Sequence, residues 1–260
     1  MLIIALTLFV IFKKASVYTS HVWAHEFYIY LCAVIAVMAG GNVINDYYDQ
    51  AIDLVNKPQK VIVGKVFSKT TTLAIYLALS MLGMMLSQRW LLFIYCVSAI
   101  LSLWLYSYKL KKLPFIGNLL VALLTFFSIF LITNFSGSPW SHRVFEISLL
   151  AFFIQLIREI VKDIEDIDGD SKGNSKTFPI IYGLSKTKSL IYLIAGVFVL
   201  STLYWQWNMQ KHVWPLYALY YLTVVFVVKV FRAQHKSHYT FISGLLKMMM
   251  LVGLSSVLFI

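Results

Sequence analysis

Charge is scarce in this 260-residue chain: 13% of its residues are Asp, Glu, Lys or Arg, while 60% are hydrophobic. Soluble globular domains carry about 25% charged residues, so a soluble fold is excluded and lipid is the solvent for most of the chain. Cysteine is nearly absent. Cys32 and Cys96 stand in separate apolar runs with no CxxC pair and no neighbouring metal ligands, which excludes a disulfide framework and a zinc site. No low-complexity linker interrupts the sequence and no stretch is left over for a soluble domain, so residues 1–260 read as one transmembrane domain. The opening MLIIALTLFVIFKK lacks a basic region before its apolar run and a small-residue cleavage site after it, and so reads as a short span rather than a signal peptide.

What the chain has in abundance is apolar runs of spanning length. A bilayer core of roughly 30 Å takes about 20 apolar residues as a helix. The runs predict nine helices, at about 1–13, 25–46, 70–88, 90–107, 115–135, 145–166, 188–206, 213–231 and 239–259. The expected fold is therefore an all-α integral membrane bundle of nine transmembrane helices, or eight if the first, which is shorter than a full span, does not cross. Pro58 and Gly64, Pro114 and Gly117, and Gly169, Gly173 and Pro179 mark turns between the runs.

The formal net charge of +11 is distributed by topology. With nine spans, sixteen basic residues fall at the ends and loops after the even-numbered helices, from Lys57 and Lys60 to Lys236. Only Lys13, Lys14, Arg89, Arg143 and Lys211 fall after the odd-numbered ones. This imbalance places the N-terminus and the even-numbered ends in the cytoplasm, in a plasma or inner membrane. Anionic lipid and a pyrophosphate substrate are the partners the charge implies, and nucleic acid is not.

Acidic residues number only eleven, and nine of them lie in two short windows at the ends of apolar helices. Asp46, Asp49 and Asp53 are spaced i, i+3, i+7 and share one helix face with Asn42 and, more loosely, Asn45. Asp163, Asp166 and Asp170 repeat that spacing, with Glu159 one turn earlier, an internal echo that suggests two half-bundles with equivalent acidic ends. Like charges stacked on a helix face repel, and ionising them near lipid is costly, so helix stability does not explain the pattern. A bound cation does. Oxygen-only ligands suit a hard ion, and Mg2+ binds through one or two carboxylates plus substrate phosphates.

Groups able to grip diphosphate oxygens occupy loops on the same side. Tyr106 and Lys109 lie three apart at the end of the fourth helix, followed by Lys111 and Lys112. Arg158, Lys162 and Lys172 flank the second acidic window, and Lys60 follows the first. Asn118 is a polar residue inside an apolar run, with a helix-packing role as its alternative.

The motifs NDYYDQAID, from Asn45 to Asp53, and DIEDIDGD, from Asp163 to Asp170, together resemble the UbiA family of membrane prenyltransferases, whose signatures are NDxxDxxxD and DxxDxxxD. The windows REIVKDIEDIDGDSKGNSKTFPIIYG and YSYKLKKLPFIGN look most like its geranylgeranylglyceryl-phosphate geranylgeranyltransferase subgroup. Lysines stand where the family carries loop arginines. The resemblance implies Mg2+-dependent transfer of a prenyl group from an allylic prenyl diphosphate to a lipophilic acceptor, such as a geranylgeranylglyceryl phosphate-like lipid. It assigns both aspartate triads to the metal and to catalysis, and Asn42, Asn45, Tyr106, Lys109, Asn118, Arg158 and Lys162 to the substrate. Prenylation of an aromatic quinone precursor is the enzymatic alternative. A cation transporter is the non-enzymatic one, and it requires carboxylates near the bilayer midplane. An alcohol phosphatidyltransferase needs a DGxxAR-type motif that the chain lacks.

Overall fold

The computed structural model describes residues 6–7, 9–10, 21–56, 58–133, 141–209 and 213–256. Most of the first predicted span lies outside these residues, as do Lys13, Lys14, Lys57, Lys211 and the side chain of Lys60. Nine helices are formed among the described residues: α1 (His21–Asn56), α2 (Lys69–Leu86), α3 (Trp90–Tyr108), α4 (Ile116–Phe130), α5 (Ser141–Glu165), the short α6 (Ile167–Lys172), α7 (Phe178–Met209), α8 (Trp214–Arg232) and α9 (Lys236–Ser256). Six of them, α1 to α3 and α7 to α9, are long and apolar enough to cross a bilayer. α4 is apolar but shorter, and the end of α5 carries the second acidic window. The protein is an integral, multi-pass membrane protein.

Two helices outrun the sequence expectation. α1 has 36 residues, about 54 Å at 1.5 Å per residue, against a bilayer core of roughly 30 Å. Part of it therefore lies beyond the bilayer core, and its last turns carry Asp46, Asp49 and Asp53. α7 begins ten residues earlier than predicted and is broken at Gly183, whose φ of 79° and ψ of 165° interrupt the helix. A side chain at that φ is strained, so glycine permits the break.

Aromatic residues gather at both ends of the bundle, as they do at membrane interfaces. Tyr47, Tyr48, Tyr108 and Trp104 form a connected row, with Trp104 stacked on Tyr108 at 5.7 Å, beside the acidic end of α1. Trp90, Trp207 and Trp214 are exposed at the opposite ends of α3, α7 and α8. Trp90 and Tyr108 are separated along α3 by about 27 Å of helix rise, close to the thickness of a bilayer core.

The bundle closes by small residues and by side-chain bonds to backbone, as helices in lipid must. Gly83 of α2 admits Val37 of α1, and Gly41 of α1 admits Leu103 of α3. Tyr30 donates to the Ser128 carbonyl at 2.6 Å, tying α1 to α4, and Tyr95 donates to the Leu124 carbonyl at 3.0 Å, tying α3 to α4. At the end of the bundle away from the acidic windows, Arg89 pairs with Glu26 at 2.5 Å. The main core gathers around α5, where Ile154, Ile157, Ile160 and Val161 meet Ile191 and Phe198 of α7 and Ile242 and Leu246 of α9. This buried spine fixes α5, and the short α6 that follows it packs against α1.

Candidate functional site

The ends of α1, α3, α5 and α6 surround a cavity of about 240 Å3. All six aspartates of the two triads line it, together with Asn45, Ile52, Asn56, Tyr106, Lys111, Glu159, Lys162 and Ser175. Seven carboxylates thus face two lysines, a formal excess of five negative charges when all are ionised. The two aspartate triads sit at or next to helix ends, beside the aromatic row.

The first triad rides a continuous helix, so its i, i+3, i+7 spacing becomes one face as expected. Asp49 is gripped from two sides. Its Oδ1 accepts from Lys111 Nζ at 2.5 Å, and its Oδ2 accepts from Asn45 Nδ2 at 2.8 Å. Lys111 also donates to Asn45 Oδ1 at 3.2 Å, which closes a ring of three residues. The ion pair is largely buried, with 11% of the Lys111 side chain and 15% of that of Asp49 exposed. Burial pushes the Lys111 ammonium below its usual range, and the adjacent Asp49 carboxylate opposes that shift.

Lys111 reaches the cavity through the shape of the turn that carries it. α3 ends at Tyr108, a 3-10 turn runs over Leu110–Lys112, and Phe115 takes a left-handed φ of 66° before α4 starts. At Gly117 a Cβ would stand 2.9 Å from Lys111 Cα and 3.0 Å from the Leu110 carbonyl oxygen, so glycine allows the turn to lie against α4. The backbone of Lys176 donates to the Lys112 carbonyl at 2.8 Å and fastens the loop after α6 to the same turn.

The second triad departs from the straight stripe expected of it. α5 stops at Glu165, Asp166 adopts φ −101° and ψ 9°, and α6 begins at Ile167. Asp163 and Asp170 thus belong to different helices, with Asp166 at the corner. Asn56, from the last turn of α1, bridges that corner. Its Nδ2 donates to the Asp166 carbonyl at 3.3 Å and its Oδ1 accepts from the Gly169 amide at 3.0 Å. A Cβ on Gly169 would collide with the Asn56 carboxamide. Burial, followed by the neighbouring Asp166 and Asp49 carboxylates, pushes Asp170 up to about 6.

The remaining candidates divide. Tyr106 and Lys162 line the cavity. Asn118 is buried behind it and donates to Asp163 Oδ2 at 2.8 Å, which orients that carboxylate. Lys109 is exposed and outside the lining, because the helix ends before it and the turn presents Lys111 instead. Arg158 is outside as well and donates to Glu159 Oε1 at 2.9 Å. Asn42 shares the stripe of α1 but lies a turn further into the membrane, beyond the lining side chains. Sequence reasoning passed over Asn56 and preferred Lys109 to Lys111. An Asn three residues past the last aspartate of the motif was the available signal for the first; nothing in the spacing distinguished the lysines.

Along α5 the lining continues away from the acidic cavity. Gln155 donates to Glu159 Oε1 at 2.8 Å, and with Ile147, Leu150, Ala151 and Ile154 it lines a second, mostly apolar cavity of about 40 Å3 bounded by α4 and α9. Among the described residues no group of three His, Cys, Asp or Glu side chains converges closely enough to cage an ion unaided.

Comparison with known proteins follows this geometry. The chain is 34% identical over 248 residues to the digeranylgeranylglyceryl phosphate synthase of Methanosphaera stadtmanae, covering 91% of this chain and 88% of that protein. Enzymes of the same name from Methanobrevibacter smithii and Thermococcus gammatolerans are 41% and 39% identical, over alignments that span 57% and 54% of their length and 59% and 57% of this chain. A solved structure from work on digeranylgeranylglyceryl phosphate synthase in membranes superposes with a TM-score of 0.74 at 26% identity, covering 98% of this chain and 91% of the other. A UbiA homologue from Archaeoglobus fulgidus bound to DMAPP and Mg2+ shares the fold, with a TM-score of 0.66 at 15% identity over 99% of this chain and 96% of that one. Residues 4–245 match the UbiA prenyltransferase family, and the chain belongs to that family.

Proposed function

We propose that this protein transfers a prenyl group from an allylic prenyl diphosphate to a lipid acceptor of the geranylgeranylglyceryl phosphate type, with Mg2+ as cofactor and the reacting groups at the cytoplasmic face of a plasma or inner membrane. The observation that carries this reading is the surplus of seven carboxylates over two lysines in one interfacial cavity. A diphosphate cannot enter so acidic a space unless cations enter with it.

The donor set fits Mg2+. It is all oxygen, drawn from Asp46, Asp49, Asp53, Asp163, Asp166 and Asp170 on two facing elements, and no three carboxylates cage an ion without help. An open site completed by phosphate oxygens and water is the arrangement Mg2+ prefers. When bound, Mg2+ neutralises the charge that builds on the departing pyrophosphate as the allylic C–O bond breaks. Lys111, Lys162 and Tyr106 are placed to donate to the diphosphate oxygens, adding fixed positive charge where negative charge develops. Asn118 holds Asp163 in its rotamer, and Asn56 bonds α6 to α1, so the two triads face each other across the cavity. The buried spine of α5 excludes water from the far side of the cavity. The allylic carbon then bonds to the acceptor hydroxyl, whose proton passes to a cavity carboxylate.

The relatedness to the Methanosphaera stadtmanae digeranylgeranylglyceryl phosphate synthase over 91% of this chain supports the glyceryl phosphate lipid over a quinone precursor as acceptor. The test is to incubate purified protein with Mg2+, radiolabelled geranylgeranyl diphosphate and separate acceptors, namely geranylgeranylglyceryl phosphate, 4-hydroxybenzoate and dihydroxynaphthoate. Mass spectrometry should find the ether lipid, and Asp49→Ala or Asp166→Ala should lose at least about 100-fold in turnover, the scale of one removed charge-stabilising group. Near-normal turnover in either correctly inserted variant refutes the assignment of the triads.

A further inference from the structure

Both oxygens of Asp49 are already engaged: Oδ1 by Lys111 at 2.5 Å and Oδ2 by Asn45 at 2.8 Å. An ion that takes Asp49 as a ligand brings two positive charges close to the Lys111 ammonium, and that repulsion favours moving the ammonium off Oδ1. The displaced ammonium stays in the cavity. Lys111 is held by a short turn braced against Gly117 and by the bond from Lys176 to Lys112, so its backbone stays in place while its side chain swings within the cavity. We propose that Lys111 is an exchangeable counter-ion: it occupies Asp49 until a divalent cation arrives, and then moves to the diphosphate that accompanies the cation.

This exchange makes metal and diphosphate binding cooperative. A divalent ion alone displaces Lys111 from its shortest bond and competes with it for the remaining carboxylates of the cavity, which is costly. When diphosphate enters too, the ammonium regains an anionic partner and that cost is recovered. Lys111 therefore weakens the binding of metal alone and strengthens the binding of metal with diphosphate. A lysine that served only to hold the turn in place would shift both in the same direction.

The inference rests on the reading of this cavity as a site for divalent cation and diphosphate, and Mn2+ with inorganic pyrophosphate separates the two. Mn2+ affinity is measured by electron paramagnetic resonance on the full chain in nanodiscs, with and without pyrophosphate. Lys111→Met should bind Mn2+ alone about tenfold more tightly, the scale set by loss of a largely buried competing charge pair, and should lose most of the tightening that pyrophosphate gives the wild type. Lys111→Gln should behave alike if Met disturbs folding. Lys162→Met is the control, since it removes the same charge from the same cavity without a hydrogen bond to Asp49. Equal tightening in Lys162→Met, or unchanged Mn2+ affinity in both Lys111 variants, overturns the exchange. Failure of the wild type to bind Mn2+ at all overturns the reading of the cavity itself.

Discussion

Replacing Asn56 with alanine should free α6 without unfolding the bundle. The amide of Gly169 is the third of α6, one of the four at a helix start that have no partner within the helix. The residue at the usual capping position, Asp166, makes no side-chain capping bond. Asn56 supplies the acceptor from another helix, at 3.0 Å, and returns a second bond to the Asp166 carbonyl at 3.3 Å. Gly169 is buried, so its orphaned amide should cost about 1–3 kcal/mol, which corresponds to roughly 5- to 150-fold more frequent local opening. Hydrogen exchange of the segment 163–173 in nanodiscs reads that factor directly. Exchange should accelerate there and stay unchanged in α8 and α9. Asn56→Asp keeps the acceptor and should retain most of the protection at Gly169. Wild-type protection in Asn56→Ala would refute the claim that this side chain caps α6.

Two further outcomes follow from the same geometry. Gly117→Ala places a methyl 2.9 Å from Lys111 Cα and 3.0 Å from a backbone oxygen; such overpacking costs about 1–3 kcal/mol, so the turn should shift and the donor KM should rise about tenfold, with wild-type KM and melting temperature counting against it. Asp170, pushed up to about 6 by burial and its acidic neighbours, must lose its proton before a cation can bind it. The contribution of Asp170 to metal affinity should therefore be lost as pH drops through that value, which a Mg2+ titration of activity between pH 7.5 and 5.5 would detect as a rising half-saturation concentration.

The first aspartate triad was legible because a single continuous helix converts i, i+3, i+7 spacing into a face. The second has the same spacing, yet no pattern of apolar residues marks the corner at Asp166, since the break is secured by Asn56, 110 residues away. Long-range capping of this kind leaves no local signature. Lys109 and Lys111 could not be told apart for a related reason: α3 stops at Tyr108, and the 3-10 turn with a left-handed Phe115 reverses which lysine faces inward. Asn118 was legible as a polar residue in an apolar run, and its partner Asp163 explains why it is tolerated there. The length of α1 was underestimated because hydropathy ends where the aspartates begin, whereas the helix needs only continued backbone bonding to go on.

The break at Asp166 makes the two halves of the acidic cavity mechanically unlike. One jaw is rigid, the tip of a 36-residue rod anchored across the whole membrane. The other is a six-residue helix set off at Asp166, bonded to α1 through the Asn56 carboxamide and tied through Lys176 to the turn after α3. A vice built this way can adjust its gape to one ion or two, or to an arriving and a departing pyrophosphate, by moving the short helix alone while the transmembrane helices stay still.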